Sequence, residues 1–370
     1  MSIAVILGAG FSKCAGLPIQ SEFPEYLLSP ELSQTSSQKT ITKVIKQFLM
    51  DIFGWRSSFH FPTLEDYFTC LDLSANTGHH LGFCYEPKKL RAIRRMTIYR
   101  IFQILDKEPK ENTPSSQAIN DFLKWVRSRD KVDFVVTNWD IVLEKRLKNQ
   151  GLGDKINYGF ECYKWGTPHP KYFNHDDIII SKMNGSSNWG YCENCARIFY
   201  DTDVKRPLHE KVDLNYDDFK LFDNKLKKKE FYKGLDITPK DPDRECYFCS
   251  KVLATHIATF SFRKSYRTFA YPVIWHNAQI ILSKSKEWIF VGYSLPDADF
   301  EFKHLLKTGE LALQKNRKNK LPHITVVVYD DKNAENRFHS FFGQKISRIC
   351  QGGLKEFVQF GIDKYPKKVL

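Results

Sequence analysis

A chain of 370 residues with 42% hydrophobic and 14% aromatic residues can bury a large core, which excludes a disordered or low-complexity protein. Nine cysteines, four of them in two CxxC pairs, argue for metal ligation over a secreted disulfide framework; Cys14, Cys70, Cys84, Cys162 and Cys350 are left as buried thiols. The net charge of +13 invites a nucleic-acid reading, but the basic residues form three separate groups, Lys88 to Arg100, Lys225 to Lys229 and Lys315 to Lys320, which read as solvated faces.

Residues 3–7 (IAVIL) form a continuous apolar run ending in Gly-Ala-Gly, the signature of a buried parallel strand that feeds a phosphate-binding turn. The run is too short for a membrane span and carries no basic leader, so a cytoplasmic protein with no membrane segment is expected. Helical periodicity over 41–53, 64–73, 90–105 and 118–126 predicts a helical layer. A second strand over 132–137, a helix over 140–147 and a third strand over 178–182 follow. From 191 to 247 the composition becomes polar, aromatic and lysine-rich, marking an insertion. The pattern resumes with a helix over 273–282, a strand over 288–291, a helix over 300–306 and a strand over 324–329. Alternation of this kind predicts a doubly wound α/β fold with a mainly parallel sheet. The expected division is 1–190, an insertion over 191–250, and a second part of the same domain over 251–370.

In such sheets the ligand lies outside the C-terminal strand ends. Gly8 and Gly10, Asn138 and Asp140, Asn184 to Ser186, Gly292 and Ser294, and Asp330 follow the five predicted strands and converge there. Gly8-Ala9-Gly10-Phe11-Ser12 lets the backbone turn tightly toward a pyrophosphate. The regular dinucleotide fingerprint wants a third glycine where Lys13 stands, so this segment alone also fits a plain strand-to-helix turn.

Cys192-x-x-Cys195 and Cys246-x-x-Cys249 supply four thiolates, the number and softness that structural zinc prefers. A closed four-cysteine shell leaves no open position, so the metal should hold the insertion together and do no chemistry. His209, His256, His276 and His304 read as structural histidines, and Trp139 and Trp189 as core or pocket wall.

Four motifs in order carry a family resemblance. GAGFSKCAGLP resembles the opening of sirtuins, TNWD at 137–140 their Thr-Gln-Asn-hydrophobic-Asp motif, MNGSSNW at 183–189 the segment around their His-Gly-Ser, and GYSL at 292–295 their Gly-Thr-Ser-Leu turn. The two CxxC pairs follow the third motif, as in that family. The resemblance implies a Rossmann-like NAD-binding domain with a helical layer and a zinc-bearing insertion. It also implies NAD contacts from Gly8, Ala9, Gly10, Phe11, Ser12, Pro18, Asn138, Gly292, Ser294 and Leu295. Asp330 is added as the adenosine-ribose ligand from its strand-end position. By the same resemblance Asn138 holds the nicotinamide-side ribose or an attacking water, and Asp140 orients the carboxamide end or a neighbouring loop.

Two departures shape the function expected. The Asp-Phe-Arg of deacylases is replaced by Ile19-Gln20-Ser21-Glu22-Phe23, which turns the reading from acyl-lysine chemistry toward bacterial sirtuin-like NAD hydrolases of antiphage defence. Those enzymes act as homo-oligomers or with a HerA-type ATPase or an Argonaute. Asn184 stands where the family carries its catalytic histidine. Imidazole accepts a proton near pH 6.5, whereas an amide accepts none, so cleavage should be impaired. The asparagine fits either a natural silent chain or a ligand-trapping substitution. An NAD hydrolase is the leading expectation, ahead of a protein deacylase and of a non-catalytic nucleotide-binding assembly subunit.

Overall fold

The computed structural model describes residues 2–56, 61–106, 113–129, 131–201, 207–235, 245–259, 270–316 and 321–359, with backbone only at 315 and 316. Its strands are β1 (Ser2–Leu7), β2 (Lys131–Val136), β3 (Ile156–Asn157), β4 (Tyr163–Lys164), β5 (Ile178–Lys182), β6 (Gly185–Cys192), β7 (Arg197–Tyr200), β8 (Ala254–Ile257), β9 (Glu287–Val291), β10 (His323–Val327) and β11 (Ile346–Cys350). The apolar runs of β1, β9 and β10 have no polar alternation because helices cover both faces of the sheet they form.

That sheet has seven strands in the order β11-β10-β9-β1-β2-β5-β3, and every pairing is parallel. The chain winds from β1 outward through β2 and β5, then crosses back to build β9, β10 and β11 on the other side. The reversal beside β1 opens a crevice at the C-terminal strand ends. The doubly wound α/β expectation therefore agrees with the structure, with two strands added. β3 has two residues, and β11 is half-buried at a sheet edge, so neither shows a continuous apolar run.

The helical layer comprises Ser36–Phe53, Leu64–Thr77, Pro87–Leu105 and Pro114–Arg127. Three of these begin earlier than hydrophobic periodicity suggests, because their starts are set by caps and prolines: a Thr35/Gln38 capping box, Pro87, and Thr113 with Pro114. The basic face expected on Pro87–Leu105 is in large part not solvated. Arg100 is fully buried and donates to the carbonyls of Leu32 and Gln38, while Arg94 pairs with Asp72 and Arg95 with Asp218. A guanidinium carries enough donors to bond several carbonyls inside a helical layer, and charge counting does not reveal that. Arg317, Lys318 and Lys320 lie outside the described residues, as does the side chain of Lys315.

A second sheet, β4-β7-β6-β8, pairs β6 antiparallel with β7 and β8. It draws on residues before 191 and after 250, so it straddles both edges of the expected insertion. Of the five thiols outside the CxxC pairs, Cys14, Cys162 and Cys350 are buried, Cys70 is half-buried, and Cys84 is exposed near the turn closed by the Leu81–Tyr85 bridge. Among the described residues no helix is long and apolar enough to cross a membrane.

Candidate functional site

The turn after β1 is locked to the turn after β9. Gly8 N donates to the Val291 carbonyl at 3.1 Å and Gly10 N to that of Gly292 at 2.9 Å. A Cβ on Gly8 would lie 2.5 Å from Tyr293 Cα, and one on Gly10 2.7 Å from Gly292 Cα. Gly292 itself sits at φ 62°. These glycines are required because two backbones touch. Phe11 and Ser12 are buried in the short helix Ala9–Lys13.

Behind this turn, Ser12 joins the first motif to the second. Its Oγ donates to Asp140 Oδ2 at 2.8 Å and accepts from Asn138 Nδ2 at 3.2 Å, while Asp140 Oδ1 accepts the Val142 backbone N–H at 3.0 Å. Both Asp140 oxygens are thus engaged within the protein. Its backbone carbonyl accepts from Lys182 Nζ at 2.5 Å, and Lys182, with no exposed surface, lies 3.4 Å from Glu144. Burial pushes the Glu144 carboxyl above its usual range despite that neighbour. The Lys182–Glu144 pair has one signal in the sequence, a lysine closing a mostly apolar strand.

Asn184 links β5 to β6. It is buried; its Nδ2 donates to the Thr137 carbonyl at 2.8 Å, and its own carbonyl accepts from Ala258 N at 2.9 Å. The next residue, Gly185, has φ 79°, and a Cβ there would lie 2.2 Å from the His256 carbonyl oxygen, which fixes glycine after position 184. Beside this step, Trp189 and Tyr271 stack on His256, which burial pushes down to about 4.

A cavity of about 900 Å³ opens over these strand ends. Ala9, Gly10, Pro18, Asn138, Asp140, Asn184, Gly292 and Ser294 line it, with Trp139, Tyr293, Tyr329, Asp331 and Arg337. Gly8, Phe11, Ser12 and Leu295 lie behind the lining, and Asp330 is exposed outside it at φ 49°. Its neighbour Asp331 reaches the cavity instead, with Oδ1 capping the helix Lys332–Phe342 through Ala334 N at 2.9 Å. No histidine is among the described lining residues. His276 and His304 are exposed, and His209 pairs with Asp106. Trp139 takes a wall position, its indole N–H donating to the Ala258 carbonyl at 3.0 Å.

The sulfur atoms of Cys192, Cys195, Cys246 and Cys249 all lie within 4.8 Å of one another, with Cys192 and Cys249 3.5 Å apart. Tetrahedral zinc with Zn–S near 2.3 Å needs sulfurs roughly 3.8 Å apart, so the set fits that ion. A backbone N–H from Lys251 pulls the Cys249 thiol down to about 6, whereas burial lifts Cys192 to about 12, and a dication is what would let all four ionise together. Arg197 lies over the Phe248 ring at 4.2 Å.

No protein-family model matches the chain, and no curated protein matches it. Among solved structures it is similar to a Sir2 homologue mutant in complex with 2'-O-acetyl ADP-ribose, at 12% identity and TM-score 0.42, covering 100% of this chain and 95% of that one. It is also similar to Sir2 with a p53 peptide and NAD, at 11% identity and TM-score 0.45, covering 98% and 92%. A third is a Sir2 homologue–NAD complex, at 11% identity and TM-score 0.41, covering 96% and 86%.

Proposed function

We propose that the chain binds NAD in this cavity and belongs to a line of enzymes that cleave the bond between nicotinamide and ribose, with the position of the proton acceptor filled here by Asn184. The observation that carries the proposal is the convergence of Gly10, Asn138, Asn184, Gly292 and Ser294 on one cavity at the strand-direction reversal, where dinucleotides bind in doubly wound sheets. The four motifs that resemble sirtuins supply the nature of the ligand.

Strand order then orients it. The Gly8–Gly10 turn follows the central β1 and faces the pyrophosphate. β2 and β5 deliver Asn138 and Asn184 on one side, where the nicotinamide ribose lies, and β9 and β10 deliver Ser294 and Tyr329 on the adenosine side. Four strand spacings separate β5 from β10, about 19 Å, enough for an extended dinucleotide.

Breaking the glycosidic bond builds positive charge on the ribose and calls for a nucleophile held in place. Asn138, anchored on Ser12, holds a ribose hydroxyl or water. Asp140, with Oδ2 held by the Ser12 hydroxyl and Oδ1 by the Val142 N–H, sets the loop. Asn184 can hydrogen-bond to a ribose hydroxyl but cannot deprotonate it, so NAD is held intact.

The test is nicotinamide release from this chain and from Asn184→His. A positioned base contributes roughly 10²- to 10⁴-fold, so the histidine form should gain by that order. Rapid cleavage by the Asn184 form with no gain from histidine refutes the proposal. So does equal NAD affinity in the chain and in Asn138→Ala. On the resemblance alone the proposal extends to NAD depletion in antiphage defence, by a homo-oligomer or with a HerA-type ATPase or Argonaute. NAD consumption with and without the neighbouring gene product tests that part.

A further inference from the structure

The cations lining the cavity, among the described residues, are Lys13 and Arg337. Lys13 is paired with Glu22 at 2.7 Å on the exposed rim. Arg337, half-buried on the helix that follows β10, donates through Nε to the Ser294 carbonyl at 2.7 Å. That bond fixes the plane of the guanidinium, and neither Nη1 nor Nη2 has a partner among the described residues. The lining acids on this side are tied to protein donors: Asp331 through Oδ1 to Ala334 N, and Asp299 through Oδ2 to the Tyr293 hydroxyl at 3.0 Å.

An arginine held by Nε presents its two outer nitrogens as a fork, the arrangement that matches two oxygens of a phosphate or carboxylate. Ser294 is two residues beyond Gly292, whose carbonyl holds Gly10. The fork and the glycine turn are therefore both hydrogen-bonded to one loop, residues 292–294. A dinucleotide entering the cavity carries two negative charges on its pyrophosphate, and Lys13 is already neutralised.

Resting on the NAD reading above, we infer that Arg337 is the pyrophosphate-binding residue of the cavity, donating from Nη1 and Nη2 to the diphosphate of a nucleotide whose chain crosses the Gly10 turn. The carboxamide and glycosidic ends of the ligand play no part in this contact. ADP, which keeps only the diphosphate and the adenosine, should share it.

Calorimetry with NAD, NADP and ADP on the full chain, on Arg337→Gln and on Arg337→Lys tests the assignment. A charged hydrogen bond of this kind corresponds to about tenfold or more in affinity, so Arg337→Gln should weaken NAD and ADP alike by that factor and flatten the salt dependence of both. The lysine form, which keeps the charge and loses the fork, should recover part of it, and the melting temperature without ligand should hardly change. Unchanged ADP and NAD affinity in Arg337→Gln overturns the inference. A loss confined to NADP also overturns it, because the guanidinium would then meet the 2'-phosphate. ADP bound through Arg337 by a chain that does not bind NAD would keep the inference and remove the NAD reading, and binding of neither nucleotide would remove both.

Discussion

Replacing Lys182 by Met keeps most of the unbranched side chain, one atom shorter, and deletes its charge. The substitution strips two partners at once: the Asp140 carbonyl loses its donor at 2.5 Å, and the buried Glu144 loses the cation 3.4 Å away. Breaking a buried ion pair from one side costs about 3–5 kcal/mol, a large share of the roughly 5–15 kcal/mol that holds a typical fold together. Glu144 can limit the damage by taking a proton, since burial already raises its pKa. A carboxyl raised in the folded state binds protons that the unfolded chain releases, so the loss should be larger at pH 8 than at pH 6. Urea unfolding followed by tryptophan fluorescence measures it. Adding Glu144→Leu should recover about half or more of the loss, because two uncharged side chains leave no ion stranded. A single-variant loss below about 1 kcal/mol, or a double variant no more stable than the single, would refute the account of this pair.

Three further outcomes follow from the same geometry. Purified chain should carry about one zinc, and Cys246→Ser with Cys249→Ser should bring it below about half by elemental analysis, since two remaining thiolates cannot close a tetrahedral shell. Gly10→Ala should weaken or abolish nucleotide binding in calorimetry and lower the melting temperature, because its Cβ would fall 2.7 Å from Gly292 Cα; wild-type values for both would show that the two loops can separate. His256 is held neutral by burial, with its pKa near 4 against about 6.5 unfolded, so its contribution is full above pH 6.5 and is lost as pH falls toward 4. That amounts to about 3 kcal/mol, and His256→Phe should flatten the decline in an unfolding series across this range.

The parallel sheet was legible because strands buried on both faces announce themselves: IAVIL, EWIFV and HITVV have no polar face to hide them. β6 was not, because GSSNWGYC is small and polar, and its strand character comes from pairing with β7 and β8 rather than from propensity. In the site, glycines and asparagines at strand ends stood out, since close backbone approach and strand-end placement restrict residue type. Asp330 and Asp331 could not be told apart, for the backbone flips to positive φ between the strand and its helix. Lys182 and Arg337 were invisible for a different reason. Their roles depend on Glu144, Asp140 and Ser294, all about 40 residues away along the chain.

The contact among Gly8, Gly10 and Gly292 divides the cavity into two kinds of wall. On the β1–β9 side the surface is main chain pressed against main chain, so its shape tolerates no added atom. On the β2–β5 side the surface is made by side chains such as Asn138 and Asn184. Under the function proposed above, chemistry and shape are thus carried by separable parts of the molecule: an exchange at position 184 should alter cleavage while the Gly8–Gly10–Gly292 contact stays the same.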